Sequence, residues 1–209
     1  MHTLKVGAIG CGYWGPNLIR NIIELPSAEM VAVADLDQSR LDSIRTRFPQ
    51  ISQFTQNYHD LFELGLDAVI ISTPPPTHFT IAQDCILHNL HVLVEKPLTI
   101  KSDDARQLIK LAEQQKRVLM VGHTFEYNAA VRALKEMIDN GELGEIHYID
   151  AVRASLGLFH PTMNVIWDLA PHDISIFNHL LGQGPVSVSA RGVANVQRTV
   201  EDVAYMTMM

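Results

Sequence analysis

Gly10-Cys11-Gly12-Tyr13-Trp14-Gly15 stands directly after the apolar run Leu4 to Ile9 and leads into the periodic apolar positions Leu18, Ile19, Ile22 and Ile23. Glycines in G-x-G-x-x-G spacing at a strand-to-helix turn suit a dinucleotide. Gly10 allows the tight turn, and Gly12 lets the backbone approach a pyrophosphate with no Cβ in the way. Gly15 lets the helix pack closely on the strand, while the helix N-terminal N–H groups face the anion. Asp35 follows Gly15 by twenty residues, at the end of a second apolar run, Met30 to Ala34. A carboxylate there accepts hydrogen bonds from ribose hydroxyls and repels a 2′-phosphate, which favours NAD over NADP. Tyr13 and Trp14 either lie along the cofactor or substrate entrance or pack against a second domain. Cys11 is read as a small residue inside a glycine turn, not as a nucleophile.

Asp168 and His172 stand four residues apart, so on a helical turn both side chains leave one face with about 6 Å of axial rise between them. Histidine titrates near neutrality and suits removal of a proton from a hydroxyl. The bland reading of His172 is a helix-capping or core histidine. Asp168, His172 and Asp173 lack third and fourth partners at ordinary ligand spacing, so no metal is expected. The other histidines, including His2, His59, His88, His91 and His147, are scattered and read as surface or strand-edge residues.

These groups need elements to position them. Strands are expected at Leu4–Ile9, Met30–Ala34, near Phe54, Ala68–Ser72, His91–Glu95 and Val118–Val121. Helices are expected between them at Asn17–Glu24, Gln38–Arg47, His59–Leu64, Thr77–His88 and Asp103–Gln115, the last with Ser102 as N-cap. Strands apolar on both faces, alternating with helices, imply a doubly wound parallel sheet, an α/β Rossmann domain over residues 1–122. From residue 123 the pattern changes to a helix at Ala129–Asn140, a strand at Glu145–Ala154, a helix at Asp173–Leu181, and strands at Val186–Val193 and Val203–Met208. This predicts the N-terminal part, 123–209, of an α+β substrate and oligomerisation domain with an open, mainly antiparallel sheet. The chain stops inside an apolar strand pattern, which reads as a truncation; the piece is expected to bind NAD but turn over poorly.

The 209 residues are 47% hydrophobic and 19% charged, an ordinary composition for a chain that buries a core. A net charge of −7 and a pI near 5.7 argue against a nucleic-acid partner. No apolar stretch approaches the roughly 20 residues of a membrane helix. The N-terminus has no signal-peptide pattern, and two cysteines fit a reducing cytoplasm.

Ser72-Thr73-Pro74-Pro75-Pro76-Thr77-His78 and Glu95-Lys96-Pro97-Leu98 fall where strands end near the cofactor. Together with the glycine loop they resemble the Gfo/Idh/MocA oxidoreductase family. The resemblance implies that Thr73, Pro74, His78, Glu95 and Lys96 flank the cofactor, with Lys96 near the nicotinamide and the substrate hydroxyl and the bond before Pro97 often cis. It also implies that Trp167-Asp168-Leu169-Ala170-Pro171-His172-Asp173 matches the family's D-x-G-x-H segment, Ala170 standing where glycine is usual. Lys96, Asp168 and His172 are then the catalytic set. His172 is the general base, Lys96 the cation that polarises the oxygen or relays the proton, and Asp168 the group that orients the substrate; all three are expected around one alcohol carbon. The bland reading of Lys96 is a solvated lysine beside a proline turn. His78 either touches cofactor or substrate or does neither. Phe125, with its neighbours His123 and Tyr127, stands where members place substrate contacts, although a crossover between domains explains the alternation equally well. Arg153 either meets a diphosphate or carboxylate or is a surface arginine.

The glycine loop, Val152-Arg153 and the segment Trp167 to Asp173 look most like members acting on UDP-linked N-acetylamino sugars. By that resemblance the reaction is NAD-dependent oxidation of the C3 hydroxyl of a UDP-sugar, and the whole protein is a homo-oligomer. Two rivals stand beside it: a dehydrogenase of a free sugar or polyol such as inositol, and a non-catalytic NAD-binding protein.

Overall fold

The structure, a computed structural model, describes residues 3–154, 163–196 and 198–209; His2 lies outside them. They fall into two compact units, Met1–Gly122 and His123–Met209.

In the first unit, β1 (Leu4–Ile9), α1 (Gly15–Ile23), β2 (Ala28–Ala34), α2 (Gln38–Arg47), β3 (Gln53–Thr55), β4 (Ala68–Ile71), α3 (His78–Leu87), β5 (His91–Val94), α4 (Ser102–Gln115) and β6 (Leu119–Val121) follow in order. Two 3-10 turns, Tyr58–Glu63 and Pro75–Thr77, flank β4. The sheet order is β3-β2-β1-β4-β5-β6 and every pairing is parallel. Sequence order therefore reverses between β1 and β4. In open α/β sheets the ligand crevice lies at the carboxyl ends of the strands at that reversal.

Strand side chains alternate between faces, and this separates two apolar layers. Ile9, Ala34, Ile71 and Val94 join one buried cluster with Ile81, Cys85 and Leu108 of α3 and α4. Ala8, Val33 and Ile70, their chain neighbours, join the other with Ile19, Leu41 and Ile44 of α1 and α2. Helices thus cover both faces, which is why these strands read as continuous apolar runs.

Asp37 caps α2, its side chain accepting from the Ser39 N–H. Ser102 is not the cap of α4. Lys101 holds that position in extended backbone without a side-chain bond, and Ser102 opens the helix with Asp103 and Asp104 behind it.

The second unit has a 3-10 turn at Thr124–Tyr127, then α5 (Ala129–Asp139), α6 (Val165–Leu181) and an antiparallel pair, β7 (Val188–Val193) with β8 (Val203–Met208). Asn128 caps α5 through its side chain. Two expectations fail here. Glu145–Ala154 forms no strand; Tyr148 and Val152 are exposed, and apolar alternation alone supplies no ladder partner. The second helix starts eight residues early, because Asn164 accepts from the Trp167 N–H and nucleates it. Pro171 sits inside this helix, where it removes one intrahelical hydrogen bond but does not end it.

Candidate active site

The glycine loop is built by close approach. Gly10 has φ +89°, and a Cβ there would lie 2.8 Å from the carbonyl carbon of Ser72. At Gly15 a Cβ would lie 2.5 Å from the Gly10 carbonyl oxygen, which also accepts from the Ser72 hydroxyl at 2.7 Å. The fold itself therefore demands these two glycines. Gly12 differs: a Cβ there meets only Arg40 Nη1, at 3.5 Å. Nothing among the described residues requires its bareness, which leaves the backbone open to an anion. Gly10→Ala should accordingly cost about 3 kcal/mol or more in denaturant unfolding, from backbone strain and the clash. Gly12→Ala should unfold like the parent and lose NAD affinity in titration.

Asp35 directly follows β2, with its side chain 7% exposed. Its carboxylate accepts from the Cys11 N–H at 2.7 Å and the Asp37 N–H at 2.9 Å, which ties the glycine loop to the start of α2. A carboxylate has about four acceptor sites, so capacity for ribose hydroxyls remains. Arg40 belongs to no motif. Its guanidinium lies 3.9 Å from Asp35 and 3.5 Å from Asp37, and its one sequence signal is the three-residue step from the Asp37 cap. Cys11, Gly12, Tyr13, Pro16, Ser39 and Arg40 line a groove of about 400 Å³ beside this loop. Burial and the Asp35 charge push the Cys11 thiol up to about 12, which removes it as a nucleophile at neutral pH. Open backbone at Gly12, an acidic acceptor and this groove fit the adenosine and pyrophosphate parts of NAD.

Thr73, Pro74 and His78 follow β4, and Glu95 and Lys96 follow β5, so all five lie at the carboxyl ends of the sheet. His78, however, is 1% exposed. Its Nδ1 lies 2.8 Å from the Pro97 carbonyl and its Nε2 2.8 Å from the Thr73 carbonyl. In this arrangement His78 is a tie between the two turns and has no open face for a ligand. The Lys96–Pro97 bond is cis.

Glu95 is half-buried against Gly122, where any Cβ would come within 2.9 Å of its Oε1. The Lys96 N–H donates to its Oε2 at 3.2 Å, and the Lys96 charge and the Trp14 indole also favour the ionised carboxyl. Burial outweighs these contacts and holds the Glu95 carboxyl above its ordinary 4.5. A carboxyl that ionises later in the folded state than in the unfolded one adds stability that is complete below pH 4.5 and lost as pH rises through its higher native value. Glu95→Gln should therefore unfold at higher denaturant than the parent above neutrality, and the gap should close in acid.

The second unit gathers the other candidates. Asp168 and His172 are four residues apart on α6, hence on one helix face. Phe125 packs edge-on against His172, with ring centroids 4.9 Å apart at 64°. The Arg153 guanidinium lies 4.7 Å over the Phe125 ring and forks onto Asp173, Nε to Oδ2 at 2.9 Å and Nη2 to Oδ1 at 2.7 Å. Asp173 is 20 residues distant from Arg153 in sequence, and no motif or spacing points to this fork. His172 lies mid-helix, away from both caps at Asn164 and Gly182, which excludes the capping reading. Among the described residues no group of three or more His, Cys, Asp or Glu side chains could hold a metal ion, and no helix is long and apolar enough to cross a membrane.

Both units have counterparts in known proteins. Residues 131–209 match the GFO/IDH/MocA C-terminal domain. A UDP-N-acetylglucosamine 3-dehydrogenase of Acidithiobacillus ferrooxidans is 30% identical over all of this chain and 64% of its own length. An inositol 2-dehydrogenase of Burkholderia vietnamiensis is also 30% identical, over 87% of this chain and 55% of its own. The crystal structure of GenD2 from gentamicin A biosynthesis in complex with NAD superposes with a TM-score of 0.88 at 23% identity, over 100% of this chain and 62% of that one. The chain thus spans between about half and two thirds of the length of these relatives. Residues 4–123 match the GFO_IDH_MocA model, described as an oxidoreductase family with an NAD-binding Rossmann fold, and the chain belongs to that family.

Proposed function

We propose that the whole protein carrying this sequence oxidises a secondary hydroxyl, that at C3, of a UDP-N-acetylamino sugar to a ketone. One observation carries the choice of substrate: the relative named UDP-N-acetylglucosamine 3-dehydrogenase matches this chain along its entire length. NAD, when bound, supplies the hydride acceptor. Oxidation breaks the C–H and O–H bonds of the alcohol and forms C=O, so one hydride and one proton must leave together. His172 takes the proton at a ring nitrogen, because imidazole is a competent base near neutrality. The Lys96 ammonium stabilises negative charge as it builds on the oxygen. Asp168, on the same helix face as His172, orients the sugar.

A second reading has its own support, in the inositol 2-dehydrogenases that match at the same 30% identity. Supplying NAD with either UDP-N-acetylglucosamine or myo-inositol and following NADH absorbance separates them. Turnover of the nucleotide sugar supports the first reading and turnover of inositol alone the second. NAD binding without turnover of either would leave a nucleotide-binding protein.

A further inference from the structure

Outside the nucleotide groove, one side-chain cluster goes beyond the roles assigned above: Phe125, Arg153 and Asp173 around His172. We propose that Arg153, forked onto Asp173 and lying over Phe125, is a positioning residue that fixes the imidazole of His172. The proposal rests on His172 being the base, and it assigns to Arg153 a task other than reading a substrate charge.

The geometry supports this from three directions. The Arg153–Asp173 fork is bidentate, with both side chains mostly buried, at 27% and 20% exposure. Planar forks of this kind fix orientation as well as supply energy. Asp173 is the chain neighbour of His172 on α6, so immobilising its carboxylate immobilises the helix turn that carries the imidazole. Phe125 then fills the space between the two, with the guanidinium 4.7 Å from its ring centre and the imidazole ring centre 4.9 Å away at 64°. A cation over a ring face is attracted to it, so Arg153 presses Phe125 into the position that limits rotation of His172. The Ser175 hydroxyl donates to the His172 carbonyl at 3.0 Å, which steadies the same turn below Pro171.

The charges of the pair give a signature that packing alone would not. With both partners present, the opposite charges of Arg153 and Asp173 oppose one another at His172. Removing the guanidinium leaves a carboxylate that favours the imidazolium; removing the carboxylate charge leaves a cation that opposes it. Through an effective dielectric near that of a protein surface, each displacement is about 0.5–1 pH unit. The remaining ionisable groups on elements packed against α6 stay in place in every variant. They are Glu126 and Tyr127 of the 3-10 turn, Arg132, Lys135, Glu136 and Asp139 of α5, and Tyr205 of β8, with Asp168 and His179 on α6 itself.

The test uses Arg153→Met, Asp173→Asn and the double variant in the whole protein. Two readouts are taken: the acidic limb of the kcat–pH profile, and the titration of the His172 ring protons by NMR, identified by their loss in His172→Asn. The expected result is an upward shift for Arg153→Met, a downward shift for Asp173→Asn, and a return toward the parent in the double variant. Asp173→Asn is isosteric and carries the test by itself should Arg153→Met not fold. Titration of His172 at the parent value in the variants overturns the proposal. So does a rise in KM for the nucleotide sugar in Arg153→Met with the limb unmoved, because Arg153 would then be reading substrate charge. If the NMR shifts oppose one another while His172→Asn leaves kcat intact, the clamp stands and the assignment of the base fails.

Discussion

His172→Ala is expected to lower kcat by roughly 10²–10⁴-fold, the usual contribution of a positioned general base. NAD affinity should hold, because Gly12, Tyr13 and Arg40, which line the nucleotide groove, belong to the other compact unit. His172 sits in the middle of α6, half-buried, with Phe125 against its ring, so it neither caps the helix nor lies in a sealed core. His172→Gln keeps some of the bulk beside Phe125 and separates lost packing from lost proton transfer. A structural histidine would show the reverse pattern, with reduced stability and turnover within a factor of a few of the parent. Steady-state kinetics with a parallel NAD titration distinguishes the two.

Lys96→Met retains the aliphatic stem and deletes only the charge. It is expected to reduce kcat by roughly 10²–10³-fold, the size found when one donor to a developing oxyanion is removed. An interaction made only in the transition state lowers kcat and kcat/KM together, whereas a ground-state contact raises KM alone. A rise in KM with kcat retained would therefore demote Lys96 to a binding residue. Lys96 and His172 acting on one alcohol should also be non-additive: the double variant should be little worse than the poorer single one.

Much of the nucleotide unit is legible in the amino-acid sequence alone. Its strands are buried on both faces, so local apolar content marks them, and Gly10 and Gly15 of the loop are demanded by contacts at the ends of strands. Gln38–Arg47 has the bounds its sequence predicts because Asp37 is a strong cap. Polar partner choice is not legible. His78 finds carbonyls 5 and 19 residues away, and Arg153 finds Asp173 across 20 residues; no periodicity encodes such pairs. By sequence His78 therefore reads as a candidate ligand contact, although its ring is enclosed. The same limit explains Glu145–Ala154, where alternation is present and no strand among the described residues pairs with it. In α6 a proline suggests a boundary, but Asn164 sets the start of the helix upstream of it.

Isotope transfer gives the decisive measurement. UDP-N-acetylglucosamine carrying deuterium at C3 is incubated with NAD and the whole protein, and the NADH formed is examined by mass spectrometry. Hydride transfer from C3, assisted by His172 and Lys96, requires NADH bearing that deuterium, with both yield and rate collapsing in His172→Ala and Lys96→Met. Unlabelled NADH, or no NADH from a protein that binds NAD, would refute that mechanism.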